Sequence, residues 1–333
     1  MLMKAIVYEK YGSPDVLQLT EVEKPTPKDH EVLIKVHAVS VNRSDWECLR
    51  GKPLYARITV SGLLKPKKKI LGSDIAGRVE AAGRNVKRFQ PGDEVFGDIL
   101  WHMGGFAEYV CAPEGALALK PAGMTFEEAA TIPQAAVIAL QGIRDKGQVQ
   151  SGQKVLINGA GGGAGSFAVQ LAKLYGAEVT GVDNTGKLDF MRSLGADHVI
   201  DYTREDFTKN GKQYDMILDV IAHRSVFAYK RALRPNGCYF CVGGSVATLF
   251  QILLLGPWVR RTAGKKIRLL VVQPNLKDMV YITELYEAGK VVPVIDRRYP
   301  LSEVPEALQY LGEGRAKGKV VITLESNNDR SGR

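Results

Sequence analysis

The stretch Lys154–Gly165, KVLINGAGGGAG, decides the fold. Its short apolar run ends in a loop of small residues, and an apolar segment with helical spacing follows at 166–175. Ala160, Gly162 and Gly165 stand in the fingerprint positions of a dinucleotide-binding loop. Glycines there permit a tight turn and let backbone N–H groups approach a pyrophosphate, toward which the next helix directs its positive dipole end. The stretch therefore predicts a strand, a phosphate loop and a helix that bind a dinucleotide.

The following strand is expected to end at Asp183, near the adenosine ribose of such a cofactor. A carboxylate there accepts hydrogen bonds from the ribose hydroxyls and favours NAD, and it would repel the 2′-phosphate of NADP. Lys187 is close in sequence, and Asn184 offers a neutral polar group. These residues leave the choice between NADH and NADPH open.

The rest of the chain shows two different patterns. Up to about residue 125, short β segments alternate with Gly, Pro, Asp and Asn, which predicts an all-β unit in the form of a partly closed barrel. Thr125 and Glu128 then match a capping box that begins a helix. From Lys154 onward strands and helices alternate, which predicts a parallel, doubly wound sheet covered on both faces.

Composition indicates an ordinary globular protein. The 333 residues carry a formal net charge of +9, and the length suggests two domains. Basic clusters at 65–69 and 260–268 are interpreted as solvated faces, because no nucleic-acid recognition motif accompanies them. The four cysteines match neither a disulfide framework nor a zinc site. With no signal peptide at its start, the chain is expected to be cytoplasmic.

The most apolar stretch, at 249–259, is too short to span a bilayer and is interrupted by Gly256-Pro257. We therefore expect no membrane span. The stretch is interpreted either as a lid over a hydrophobic substrate or as a dimer contact.

Several motifs occur in order: Val41–Trp46 (VNRSDW), Leu71–Gly77 (LGSDIAG), Pro91–Phe96 (PGDEVF), Gly104–Val110 (GGFAEYV), Leu194–Tyr202 (LGADHVIDY) and Gly318–Ile322 (GKVVI). With the glycine loop, they resemble the zinc-free, quinone-oxidoreductase-like branch of the medium-chain dehydrogenase/reductase superfamily. The resemblance implies an α/β fold with a GroES-like β-barrel domain at 1–125 and 296–333, a Rossmann domain at 126–295, and a cleft between them. It also implies reduction of a quinone, an enone or a related carbonyl by NAD(P)H, and a homodimer.

The resemblance also bears on metal binding. In zinc-containing relatives, a cysteine and a His–Glu pair hold the catalytic metal, and these positions read Asn42 and Ser73-Asp74 here. The structural lobe with four cysteines is missing, and none of the five histidines has ligand-like spacing with another. We therefore expect no zinc and no other metal.

The resemblance implies a set of cofactor contacts in addition to Asp183. They are Asn42, Gly243, Gly244 and Asn275 near the nicotinamide, Gly162, Gly163, Ala164 and Gly165 at the pyrophosphate, Asn184, Lys187 and Tyr202 at the adenosine phosphate, and the basic residue Lys317. Ala164 replaces a more usual valine. Asp183 departs from the small or neutral residue of the NADPH-dependent branch.

Three residues are candidates for catalysis: Asn42, Asp45 and Glu47. Asn42 can orient groups but cannot act as an acid near neutral pH. The two carboxylates are expected either at the cleft mouth or as surface and capping groups, and Glu47 stands where several relatives have tyrosine.

Two functions remain open. The first is zinc-free reduction of a small hydrophobic carbonyl or quinone by NADP(H) or NAD(H), with no nucleic-acid partner. The second is a catalytically weak NAD(P)H-binding protein that uses its basic surface to bind RNA or another anionic partner.

Overall fold

The computed structural model describes residues 1–324, which form two compact units. The first comprises 1–134, 274–283 and the described residues from 293 onward, and the second comprises 135–273 and 284–292. The first boundary falls at Gln134 rather than at residue 125, because the helix that begins at Phe126 packs on strands of the first unit.

The amino-terminal part of the first unit is mostly β-structure. Its strands are β1 (Leu2–Val7), β2 (Gln18–Glu23), β3 (Glu31–Val41), β4 (Asp74–Ala82), β5 (Glu94–Asp98), β6 (Tyr109–Pro113) and β7 (Leu117–Leu119). Its helices are α1 (Arg43–Arg50), α2 (Leu54–Ala56), which continues as a π-helical turn at Arg57–Ser61, and α3 (Phe126–Ala130). Single 3₁₀ turns lie at Pro14–Val16 and Glu114–Ala116.

The chain then alternates helices and strands. These are α4 (Ala135–Leu140), β8 (Lys154–Asn158), α5 (Gly163–Leu174), β9 (Glu178–Asp183), α6 (Leu188–Ser193), β10 (His198–Asp201), β11 (Tyr214–Asp219), α7 (Val226–Ala232), β12 (Leu233–Cys241), α8 (Val246–Ala263) and β13 (Lys266–Leu269). The last elements are α9 (Leu276–Glu287), β14 (Ile295–Pro300), α10 (Val304–Gly312) and β15 (Lys319–Thr323). Short turns of helix lie at Gln141–Lys146, Thr185–Lys187 and Leu301–Glu303.

β1 and β2 pair with each other, and the larger sheet of the first unit is built around β3. Its order is β14-β15-β3-β4-β5-β7, and β6 also pairs with β3. β15 runs antiparallel to β3 and places Val320 opposite Val41. β14 and β15 thereby complete a sheet whose other strands are β3 to β7. This is the GroES-like domain that the sequence predicts.

The sheet of the second unit is entirely parallel, with the order β10-β9-β8-β11-β12-β13. The strand order reverses between β8 and β11, and ligands of such sheets bind outside the carboxyl ends of the strands at that point. β8 is the apolar run of the opening stretch, so the predicted Rossmann sheet is confirmed.

Local signals at helix ends are also confirmed. Thr125 accepts a hydrogen bond from the Glu128 N–H at 3.1 Å, and the Glu128 carboxylate accepts one from the Thr125 N–H at 2.9 Å. Gly176 and Gly195 follow α5 and α6 with φ of +75° and +101°, a conformation that glycine adopts without strain.

The apolar stretch at 249–259 lies within α8, which continues through Gly256-Pro257, so the expected interruption is wrong. A Cβ atom on Gly256 would lie 2.5 Å from the carbonyl oxygen of Ile267, so the helix can pack this closely on β13 only with glycine there. Among the described residues, no helix combines the length and apolar character needed to cross a membrane.

Close packing of α5 on the end of β8 gives a first prediction. A Cβ atom on Gly165 would lie 2.1 Å from the Gly159 carbonyl oxygen, and backbone cannot yield as a flexible side chain does. Gly165→Ala should therefore lower the free energy of unfolding by about 3 kcal/mol, the upper end of the usual cost of overpacking. Urea denaturation measures the change.

The matched control is Gly115→Ala, since a Cβ atom at Gly115 meets nothing within 4 Å. This variant should unfold at the same urea concentration as wild type. Equal stability of both variants would contradict the packing account.

Candidate functional site

The glycine loop leaves open space at Gly162, whereas Gly159, Gly161 and Gly165 are closely packed. Gly159 has φ of +84°, and Gly165 packs against its carbonyl. At Gly161 a Cβ atom would lie 2.6 Å from Cδ of Lys187. At Gly162, by contrast, it would touch only the Gly159 carbonyl oxygen, at 3.5 Å. Internal packing therefore does not require glycine at 162, and the space there fits a pyrophosphate at the start of α5.

Asp183 and Lys187 form a buried ion pair beside this loop. Asp183 Oδ2 accepts a hydrogen bond from the Gly161 N–H at 3.0 Å, and Oδ1 accepts one from the Asn184 N–H at 2.9 Å. The Lys187 ammonium lies 3.4 Å from Oδ1. Asp183 is expected to favour NAD, and Lys187 to favour NADP. As an ion pair, the two side chains carry no net charge.

The remaining residues assigned to the adenosine end lie at the same edge of the sheet. Asp201 pairs with Asp183 in the register of β10 and β9, and the Tyr202 N–H donates to the Asp183 carbonyl at 3.1 Å. The Tyr202 side chain is about half exposed. Asn184 uses its side-chain oxygen to accept from the Gly186 N–H, so it caps a turn.

A buried hydrogen-bond network joins the ends of β8 and β11. Asn158 donates to Asp219 Oδ1 at 2.7 Å, and the Tyr239 hydroxyl donates to Oδ2 at 2.9 Å. Tyr229 stacks on Tyr239 with 4.1 Å between ring centroids. Burial raises the pKa of Asp219 above its ordinary value. The only signal in the sequence was an acidic residue ending an apolar strand, Met216–Val220.

Gly243 and Gly244 follow β12 and serve different purposes. A Cβ atom on Gly244 would lie 2.1 Å from the Ala222 carbonyl oxygen, so this glycine permits a close approach of two chain segments. On Gly243 it would meet only the Val220 carbonyl oxygen, at 3.6 Å. Only Gly243 leaves space that a ligand can fill.

In the first unit, Asn42 lies at the N-cap of α1 and is buried. Its side-chain oxygen accepts a hydrogen bond from the Lys319 ammonium at 2.5 Å, and its NH₂ donates to Ser73 Oγ at 3.4 Å. The orientation of the amide is therefore set by a cation on one side and a hydroxyl on the other. Lys319 was not singled out from the sequence, although it lies within the GKVVI motif.

Carboxylates surround this lysine. The Lys319 ammonium is 3.9 Å from Asp74 Oδ2, and both side chains are buried. Gln134 connects the cluster, since its backbone N–H donates to Asp74 at 3.1 Å and its side chain donates to Ser73 at 2.7 Å and to Asp98 at 3.3 Å. Burial raises the pKa of Asp74 to about 8 and lowers the pKa of Lys319.

The structure places Asp45 in the interior of the first unit rather than at its surface. It is fully buried; Oδ2 accepts from the Asn42 N–H at 2.8 Å, and Oδ1 accepts from the Gly72 N–H at 3.1 Å. The carboxylate closes the capping box of α1 and ties that helix to the segment before β4. Of the two positions expected for Asp45, the structure supports that of a capping carboxylate.

Glu47 is partly buried and has a phenol beside it. The Tyr55 hydroxyl donates to Glu47 Oε2 at 3.0 Å, and Arg43 Nε lies 3.4 Å from Oε1. Burial raises the pKa of Glu47 above its ordinary value. Where several relatives have a tyrosine, this chain therefore has a carboxylate hydrogen-bonded to one. Tyr55 lies outside the family motifs, so the sequence does not single it out.

Two proposed cofactor contacts have structural partners of their own. The Asn275 side chain donates to the Asp278 carboxylate at 2.7 Å and accepts from its backbone N–H at 2.9 Å, which caps the start of α9. The Lys317 N–H donates to Asp296, and its side chain is exposed. Two residues before Asn275, the backbone of Gln273 makes two hydrogen bonds with the side chain of Gln141.

Comparisons with known proteins agree with this architecture. Residues 28–122 match the family described as the alcohol dehydrogenase GroES-like domain, and residues 194–322 match the family described as zinc-binding dehydrogenase.

Whole-chain relatives narrow the family further. The chain is 37% identical to 2-methylene-furan-3-one reductase of Solanum lycopersicum, over 96% of this chain and 79% of the relative. It is 34% identical to the chloroplastic NADPH-dependent alkenal/one oxidoreductase of Arabidopsis thaliana, with the same shares covered. The solved structure of the quinone oxidoreductase from Coxiella burnetii superposes with a TM-score of 0.86 and 30% identity, covering 98% of this chain and 100% of that one.

The protein belongs to the medium-chain dehydrogenase/reductase superfamily, in its quinone-oxidoreductase-like branch. A nicotinamide dinucleotide is the cofactor of this family, and the loop leaves space for a ligand at Gly162.

Asp74 gives a prediction for the pH dependence of stability. Its pKa rises from the ordinary 3.8 to about 8 on folding, so the native state binds this proton more tightly than the unfolded state. The resulting stabilisation is complete below about pH 4 and is lost as the pH rises to about 8. Asp74→Asn should make the fall in unfolding free energy over this range shallower, by up to about 1.4 kcal/mol per pH unit. Urea denaturation at a series of pH values measures the slopes.

The control is Asp189→Asn, at a fully exposed carboxylate, which should follow the wild-type slope. Identical slopes for wild type and Asp74→Asn would show that Asp74 is ionised in the native protein at neutral pH.

Proposed function

We propose that the protein uses NADH or NADPH to reduce a quinone or an α,β-unsaturated carbonyl, without zinc. The observation that carries the proposal is the Asn42–Lys319 hydrogen bond. In this family the position of Asn42 belongs to a metal ligand in zinc-containing members. Here the same side chain is bound to a buried ammonium, and a divalent cation beside that ammonium would be repelled.

The donor set supports the same conclusion. Beside Asn42, the neutral Ser73 oxygen already accepts hydrogen bonds from the Asn42 and Gln134 side-chain amides, at 3.4 and 2.7 Å. Zinc prefers thiolate, imidazole and carboxylate ligands. No group of three or more His, Cys, Asp or Glu suited to a metal occurs in residues 1–324.

The protein's own groups then have three tasks. Backbone N–H groups at 163–165 hold the pyrophosphate in the space at Gly162, whose own N–H donates to the Gly159 carbonyl, and Asn42 orients the nicotinamide side of the cofactor or the substrate oxygen. When bound, the reduced nicotinamide supplies a hydride. Glu47, with its raised pKa and its bond to Tyr55, is the acid that we propose for the proton the reduced substrate requires.

The test is turnover with a panel of ortho-quinones and enones. Purified protein should oxidise NADH or NADPH in the presence of at least one of them, followed at the nicotinamide absorbance, and metal analysis should find substoichiometric zinc. Gly162→Val should abolish cofactor binding, because its side chain would fill the open position. Tight cofactor binding with no turnover on any acceptor would instead support the second function, a catalytically weak protein with an anionic partner such as RNA.

The role of Glu47 has its own readout within the same assay. As an acid it acts only when protonated, so turnover should fall as the pH rises through its elevated pKa. Glu47→Gln should reduce the rate by about a hundredfold, the lower range for acid catalysis, and remove that limb of the pH profile. An unchanged profile would exclude Glu47 as the acid.

For the cofactor, we propose that both dinucleotides bind, because the Asp183–Lys187 pair is electrically neutral. Asp183→Asn should raise NADPH affinity relative to NADH by about tenfold, since about 1.4 kcal/mol of repulsion from one carboxylate is removed. The asparagine keeps an oxygen for the Gly161 N–H, so the loop is preserved. Fluorescence titration with both cofactors measures the ratio.

Asp183→Ser is the matched variant, because it removes both the charge and the reach to Gly161. It should raise the same ratio but weaken both cofactors. A ratio unchanged in both variants would assign the choice to Lys187 and Tyr202.

We also propose that the protein forms a homodimer and is cytoplasmic. The cysteines among the described residues, Cys48, Cys111, Cys238 and Cys241, are all unpaired with one another, which fits a reducing compartment.

A further inference from the structure

Helix α8 is apolar on two sides. Its inner side packs on β13 and on the core of the second unit through Ile252, Gly256 and Val259, which are buried. Its outer side repeats every three to four residues and is exposed, to 61% at Phe250, 58% at Leu253, 74% at Leu254 and 49% at Trp258. A helix that served only the core would be polar on that outer side.

The exposed side extends beyond the helix. Phe227 of α7 is 53% exposed and meets Trp258 edge to face, with 6.2 Å between ring centroids. Large apolar side chains that lie together on a surface mark a place where a partner or a membrane binds.

The chain segment that contains this surface carries charged residues of one sign. From Val220 to Lys277 the chain has ten Lys and Arg residues and neither Asp nor Glu. The rest of the chain has 35 basic and 36 acidic residues, so this segment accounts for the whole excess of positive charge.

Some of these cations lie beside the apolar side chains. The Lys230 ammonium is 5.3 Å from the centroid of the Trp258 ring, and Arg260 and Arg261 are exposed in the last turns of α8. We call Phe227, Phe250, Leu253, Leu254 and Trp258, together with Lys230, Arg260 and Arg261, the α8 surface.

We propose that the α8 surface docks the protein on an anionic lipid bilayer. Exposed Phe, Leu and Trp side chains enter the boundary between headgroups and acyl chains, while neighbouring Lys and Arg contact anionic headgroups. The inner side of α8 stays packed on its own sheet, so the helix lies in the plane of the interface.

The same observations disfavour two other occupants. A second copy would bring cations and no carboxylate from this segment to the contact, and like charges across an interface cost affinity. A nucleic acid would satisfy the cations but would leave Leu253 and Leu254 exposed to water. The docking does not depend on the reductase activity.

The test is sedimentation with vesicles, with intrinsic fluorescence as a second signal. The protein should bind vesicles of phosphatidylcholine mixed with phosphatidylglycerol, and bind poorly to phosphatidylcholine alone. Fluorescence should shift to the blue on binding, and Trp258→Phe should remove the shift, leaving the other tryptophans, Trp46 and Trp101, unchanged.

Two double variants separate the contributions. Phe250→Glu with Leu254→Glu should abolish vesicle binding, and Arg260→Gln with Arg261→Gln should weaken it by about tenfold or more. The control is Leu119→Glu, at a leucine that is 59% exposed elsewhere, which should bind as wild type does. Cofactor titration of each variant verifies that its second unit is folded.

Three results would overturn the proposal. One is failure of the wild-type protein to bind the anionic vesicles, and another is undiminished binding by the Phe250→Glu, Leu254→Glu variant. The third is a dimer, seen in sedimentation velocity, that this variant dissociates, and it would assign the surface to a second copy. RNA binding that this variant retains, when the wild-type protein binds no vesicles, would assign the surface to a nucleic acid.

Discussion

The second unit depends on the contact between Gly165 and the carbonyl of Gly159. At this point the first turn of α5 lies directly against the chain leaving β8, and no side chain separates them. Because the helix begins so close to the strand, its N–H groups face the open position at Gly162. Next to this contact, the side chain of Lys187 packs against Gly161 and forms its ion pair with Asp183. A single backbone approach thus sets both the phosphate loop and the charged pair behind it.

The first unit is organised by a different constraint, the removal of charge from water. Asp45, Asp74 and Lys319 are all buried, and each is retained only because neighbours supply hydrogen bonds or opposite charge. Burial shifts the pKa of Asp45 to about 7 and that of Asp74 to about 8, so part of the cluster is neutral under ordinary conditions. The cluster holds Asn42 in one orientation through the Lys319 ammonium.

Much of the fold follows from patterns that act over short distances. The strand, loop and helix at 154–174 could be predicted because their glycines have steric reasons that depend on neighbours in sequence. The capping box at Thr125 is local in the same way. The continuity of α8 through Pro257 could not be predicted, because packing on β13 outweighs the break that proline favours.

The site was predictable only where a motif names the residues. Lys319 lies 277 residues from Asn42 in sequence, and only pairing of β15 with β3 brings them together. The burial of Asp45 and the bond from Tyr55 to Glu47 likewise depend on tertiary contacts. Sequence spacing carries no information on which side of α1 faces the core until the sheet beneath it is known.

The position of Asp183 has an evolutionary consequence. Its carboxylate supports the loop at Gly161 and, in our proposal, also influences the choice between the two cofactors. If Asp183 influences the choice of dinucleotide as we propose, a lineage that exchanged it for a residue too short to reach the Gly161 N–H would also loosen the loop. Such changes of cofactor preference should be accompanied by compensating substitutions at positions 161 or 187, whereas exchange for asparagine, which keeps the oxygen, should need none.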